Sequence, residues 1–109
     1  MDDDGFLVVL CTAPDGEVAA RLARGLVEAR LAACVNVIGG LRSFYSWKGE
    51  LHDEPEVQLL VKTRRARFDE VVAWLGAHHP YEVPEILALE VAAGGARYLD
   101  WIRAQTSGG

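Results

Sequence analysis

Two long arms rich in apolar and aromatic residues flank Lys48-Gly49, and they set the first limit on how this chain can fold. The leading arm begins near Ala33, passes Gly39-Gly40 and runs through Ser43-Phe44-Tyr45-Ser46-Trp47. The return arm starts at Glu50, is interrupted at Pro55 and resumes as Val57-Gln58-Leu59-Leu60-Val61-Lys62. Lys48-Gly49 reads as a two-residue hairpin turn, and Val57, Leu59 and Val61 share one face of the return strand. Each arm covers about 14 residues, or roughly 46 Å of strand, whereas a chain of this length packs into a body roughly 34 Å across. The arms must therefore bend, break or overhang. An overhanging ribbon exposes Phe44, Tyr45 and Trp47 along an unpaired edge, which predicts an oligomer. Gly39-Gly40 and Pro55 are the points at which the arms would otherwise fold back.

The remaining elements follow from periodicity. Phe6 to Thr12 is a short apolar run bounded by Gly5 and Pro14, the pattern of a central strand covered on both faces. Asp15 caps a helix in which Val18, Leu22, Leu26 and Ala29 form one stripe. Phe68, Val71, Val72 and Leu75 define a second helix, which Pro80 ends. Ile86 to Val91 is the last strand, and Tyr98, Trp101 and Ile102 mark a short helix after Gly94-Gly95. The order is βαββαβ with an added C-terminal helix. This predicts an α+β, ferredoxin-like sandwich: a four-stranded antiparallel sheet with two helices on one face and a long β2-β3 hairpin. Residues 1–109 form a single domain, with 1–5 and 104–109 expected as flexible tails.

Composition narrows the function. Half of the 109 residues are hydrophobic and 25% are charged, the balance of a globular protein. The net charge of −5 owes most to Asp2, Asp3 and Asp4, and the only basic cluster is Arg64, Arg65 and Arg67, so nucleic acid is not an expected partner. No apolar stretch approaches the roughly 18 residues of a membrane span, and no basic segment precedes an apolar one at the start. The expected compartment is the cytoplasm. Cys11 and Cys34 sit in apolar runs and read as free thiols.

Chemistry-bearing residues concentrate in His78-His79-Pro80-Tyr81-Glu82-Val83-Pro84-Glu85. Imidazole suits copper, zinc and nickel, and a thiolate adds preference for copper(I) or zinc, so Cys11, His78 and His79 are chemically reasonable ligands. Adjacent histidines point in opposite directions in extended chain, so one ion shared by both needs a sharp turn. The alternatives are a His pair capping a helix end and a cysteine acting as a small core hydrophobe. No nucleophile elbow, phosphate loop or dinucleotide fingerprint is present, and no enzyme activity is expected. Lys62, Glu56, Glu85 and Tyr81 could line a cleft for a small anion or form an ion-pair network at a subunit interface.

Four segments occur in order: Leu10-Cys11-Thr12-Ala13-Pro14-Asp15, Leu31-Ala32-Ala33-Cys34-Val35-Asn36, Ser43-Phe44-Tyr45-Ser46-Trp47-Lys48-Gly49-Glu50 and His78 through Glu85. With them the chain resembles the CutA-type divalent-cation tolerance proteins over residues 6 to 103. The resemblance implies a homotrimer whose hairpins extend sheets across subunit boundaries, as in PII-type signal proteins. It also implies a copper(II) site on Cys11, His78 and His79, with copper(I) or zinc as chemically reasonable substitutes. The expectation is thus a trimeric copper-binding protein associated with divalent-cation tolerance. The alternative is a PII-like signalling trimer that binds a small metabolite or a partner protein in its inter-subunit clefts. Tyr45, Trp47, Lys62, Tyr81, Glu85, Tyr98 and Trp101 are the candidates for that cleft or interface.

Overall fold

The computed structural model of the protein describes residues 5–107. Residues 1–4 and 108–109, where most of the expected tails fall, lie outside them. The elements are β1 (Phe6–Ala13), α1 (Gly16–Glu28), β2 (Cys34–Trp47), β3 (Glu50–Arg64), α2 (Phe68–His78), β4 (Leu87–Glu90) and α3 (Ala96–Gln105). The strands form one antiparallel sheet in the order β2-β3-β1-β4. This is the expected ferredoxin-like arrangement with its long hairpin and added helix.

Local chemistry sets the boundaries. The Asp15 carboxylate accepts the Val18 N–H at 2.8 Å and caps α1, satisfying one of the donors a helix start leaves free. At the hairpin tip Lys48 has φ 52° and Gly49 φ 81°, the paired left-handed conformation of a type I′ turn, whose twist matches the strands it joins. A bulge between Ile38 and Leu41 interrupts the β2–β3 register, with Gly40 at φ 83°.

The core lies between the sheet and α1 and α2. Leu7, Val9, Cys11 and Ala13 alternate onto that face with Leu59 and Val61, against Ala19, Leu22, Leu26, Val71 and Leu75. Two expected core positions fall outside it. Ala29 is the exposed C-cap of α1, and Val72 is exposed because α2 turns Trp74 toward the core instead. A second cluster joins Phe6 and Ala33 to Ile102 of α3.

The chain end differs from the expected tail. Thr106 is completely buried: its hydroxyl donates to the Ile102 carbonyl and accepts from Arg64 Nε, and its carbonyl accepts from Arg64 and Arg67. Arg30 donates to the carbonyls of Ala104 and Ser107. Three guanidinium groups thus satisfy the carbonyl end of α3, so residues 104–107 are held in place.

The arms overhang. β1 accompanies β3 only as far as Ala13↔Val57, whereas β2 and β3 stay paired out to Trp47↔Glu50. Residues 41–56 are therefore a two-stranded ribbon, and the molecule measures 44 × 25 × 24 Å. Pro55 does not break β3, contrary to its sequence signal. It lies opposite Arg42, beyond the end of β1, where β3 has a partner on one side only and a missing N–H is tolerated.

Candidate functional site

The loop from His79 to Ile86 leaves α2 and passes the end of β1, bringing its side chains beside Thr12. His79 is buried, its Nε2–H donating to the Thr12 carbonyl at 2.7 Å while Nδ1 accepts the Tyr81 N–H at 3.1 Å. These partners assign the neutral imidazole with the proton on Nε2. The Cys11 thiol approaches the same Thr12 carbonyl at 3.7 Å. Burial pushes its pKa up to about 12, with Glu85 and Glu56 adding to the rise. Cys11 and His79 therefore meet at one peptide group.

His78 does not join them. It ends α2, where Nδ1–H donates to the Trp74 carbonyl at 2.8 Å and the ring stacks on the Trp74 indole at 4.0 Å. That position borders a shallow depression formed with Arg21 and Arg24 of α1. Among the described residues, no three His, Cys, Asp or Glu side chains converge closely enough to share a metal ion. Measured against the donor set of a copper or zinc centre, the pair at Thr12 fits in part. A thiol and an imidazole are adjacent, but both imidazole nitrogens are engaged and the thiol holds its proton.

A concavity of about 500 Å³ opens beside Thr12, at the base of the ribbon. Its walls carry Tyr45 and Trp47 from β2, Glu56 from β3, and Tyr81, Glu82 and Glu85 from the loop. Tyr81 donates its hydroxyl to Glu56 at 2.6 Å, and Tyr45 donates to Glu54 at 2.7 Å. Burial, then the bond to Glu56, raises the Tyr81 pKa well above the ordinary phenol value. For Tyr45 the pKa is also raised, with the bond to Glu54 as the first cause.

Of the residues expected at a cleft, Tyr45, Trp47, Tyr81 and Glu85 come together here. Lys62 does not: on β3 it shares a sheet face with Glu56 but lies further along the strand, opposite Val8 and Cys34, and is not among the lining residues. Tyr98 and Trp101 pack on each other on the exposed side of α3, with ring centroids 5.5 Å apart. The described lining of this cleft holds three carboxylates and no Lys or Arg. Glu82 and Thr12 were missed as lining residues. The loop's two prolines pointed to a held segment, but nothing local told which side chains would turn toward the ribbon.

Comparison with known proteins agrees with this architecture. The profile of the family described as "CutA1 divalent ion tolerance protein" matches residues 7–105. The "Divalent-cation tolerance protein CutA" of Thermus thermophilus is 52% identical over 91% of this chain and 96% of its own length. That of Pectobacterium atrosepticum is 46% identical over 90% of this chain and 89% of its own. Among solved structures, "CutA1 from Oryza sativa" superposes with a TM-score of 0.92 at 36% identity, covering 96% of both chains.

Proposed function

Since the chain belongs to the CutA1 divalent ion tolerance family, we propose that it works in the cytoplasm as a homotrimer that binds divalent metal ions, copper first and zinc second. The observation that carries this reading is the meeting of the Cys11 thiol and the His79 imidazole at the Thr12 carbonyl, in a family described by tolerance to divalent cations. The proposed ligand set is Cys11, His78 and His79. Binding would take the proton from Cys11 and free His79 from Thr12, and His78 would have to leave the Trp74 indole. Metal affinity should therefore rise with pH, since ions and protons compete for the same atoms.

Two features support the oligomer. The sheet face opposite α1 and α2 carries Leu10 and Leu60 beside Leu87 and Leu89, which are 59% and 54% exposed. The ribbon adds Phe44 and Leu51, both open to solvent. An apolar sheet face of this kind is covered by another chain in proteins that stay soluble. The protein is read as a binder and not an enzyme, because a thiol held protonated far above neutral pH is the opposite of an activated nucleophile.

The test is an anaerobic calorimetric titration with copper and with zinc, on protein whose mass has been fixed by sedimentation. Wild type is compared with Cys11→Ser, His78→Ala and His79→Ala. Saturable binding at a fixed ratio to subunits, lost in the variants, is the expected result. Binding that survives all three substitutions would overturn the ligand set, and a mass of one subunit would overturn the trimer.

A further inference from the structure

The cavity at the base of the ribbon combines two features that the metal reading leaves unused. One is its charge: Glu56, Glu82 and Glu85 line it, its described lining includes no Lys or Arg, and the cation nearest to it in an ion pair is Lys48, 4.0 Å from Glu82. The other is its walls, which present the rings of Tyr45, Trp47 and Tyr81 to the same space. Carboxylates and aromatic faces together attract a cation that carries apolar groups, since the ring faces are negative and the alkyl groups prefer to leave water.

The chain's own cations already sit on the rings at this end of the molecule. Lys48 Nζ lies 5.8 Å from the centre of the Trp47 ring and 4.0 Å from a Glu82 carboxylate oxygen, so one ammonium group lies between an aromatic wall and an acidic wall. The Arg42 guanidinium lies 5.0 Å from the ring centre of Phe44, which also borders the cavity. Both Lys48 and Glu82 are largely exposed, so their weak ion pair is easily displaced. A volume of about 500 Å³ falls within the usual range for small-molecule sites and far exceeds what a bare metal ion fills.

From this geometry we infer that the cavity is a binding site for a small organic ammonium ion, with Trp47 and Tyr81 as its aromatic walls, Glu56 and Glu85 as its counter-charges, and Lys48 as an internal competitor at its mouth. The bound cation replaces the Lys48 ammonium between Trp47 and Glu82. Its charge faces the carboxylates and its carbon atoms face the rings. The site requires no metal and does not involve the Cys11 thiol.

The test uses the native oligomer, stripped of metal by a chelator, titrated with choline and followed by Trp fluorescence and calorimetry at fixed ionic strength. Saturable binding is expected, weakened at least tenfold in Trp47→Leu and in Glu85→Gln. Lys48→Asn should tighten it three- to tenfold. Asn suits the left-handed turn position, and a variant that failed to fold could not bind more strongly. The uncharged isostere 3,3-dimethylbutan-1-ol should bind at least tenfold more weakly than choline. Absence of saturable binding, equal binding of the neutral isostere, or displacement of choline by one equivalent of zinc would each overturn the assignment. Because the titration is free of metal, its failure leaves the Cys11 and His79 reading standing, and the reverse also holds.

Discussion

The indole of Trp74 lies so close over Gly25 that a Cβ at residue 25 would sit 2.3 Å from Cζ2 of the ring. This contact is where α1 and α2 approach each other, and it reverses the usual preference. Alanine within a helix is ordinarily about 1 kcal/mol better than glycine. Here the overlap should make Gly25→Ala destabilising by about 1–3 kcal/mol. Gly76, in the last turn of α2, has open space where its Cβ would be, so Gly76→Ala should gain about 0.5–1 kcal/mol. Thermal unfolding of the two variants side by side checks both signs, and stabilisation by both would show that Trp74 is not seated on Gly25.

Thr106 ties the chain end to β3. Thr106→Val keeps the shape but removes the hydroxyl that accepts from Arg64 and donates to Ile102, leaving a partly buried guanidinium N–H short of a partner. A loss of about 1–3 kcal/mol in urea unfolding is expected. A loss below a few tenths would mean that the Arg64 and Arg67 bonds to the Thr106 carbonyl hold the end of α3 by themselves.

Cys11 gives folding stability an alkaline limit. Its pKa rises from 9.0 to about 12 on folding, so the native state holds the thiol proton more tightly than the unfolded chain. The contribution is complete below about pH 9 and declines as pH climbs toward 12. Between pH 8 and pH 11 the wild type should lose more stability than Cys11→Ala, measured by urea unfolding. Native Cys11 should also resist alkylation at pH 8 and react once the protein is unfolded. Equal pH dependence in the two proteins would rule the thiol out as its source.

Leu87 and Leu89 test the proposed assembly. Both project from β4 on the sheet face away from α1 and α2, alongside Val8 and Leu10. Leu87→Lys places a charge on that face while leaving the subunit's own core intact, since Leu87 is not part of it. Sedimentation should then report single subunits at micromolar concentration. A variant that still sediments as a trimer would move the contact surface elsewhere.

Much of the fold was legible because it rests on short-range rules. Asp15 and Val18 are three residues apart, and Lys48-Gly49 needs only the two left-handed conformations that its turn requires. The overhang was legible as a length that could not fit, although sequence alone left bending and breaking open. Pro55 misled because its effect depends on where a different strand stops: β1 ends at Ala13, opposite Val57, two residues short of it. Val72 misled because apolar spacing in α2 allows two neighbouring stripes, and the room that Gly25 leaves for Trp74 selects one of them. The candidate site was legible as a list of residues but not as a place. The Thr12 carbonyl, which the Cys11 thiol approaches, meets His79 across 67 residues of sequence, and the stacking of His78 on Trp74 turns the neighbouring histidine the other way.

The ribbon of residues 41–56 also bears on how the chain reaches its final state. Two strands with no third beside them are at best marginally stable in water, so in the proposed trimer this part of the fold would depend on how many copies are near. Backbone amides of the ribbon should exchange quickly with solvent in dilute solution and slowly in concentrated solution, while those of β1 stay protected in both. Refolding should accordingly separate into a first-order step for the sheet with α1 and α2, and a later step whose rate grows with protein concentration. A cell making little of this protein would hold subunits with finished cores and unsettled hairpins, and rising expression would itself complete the structure.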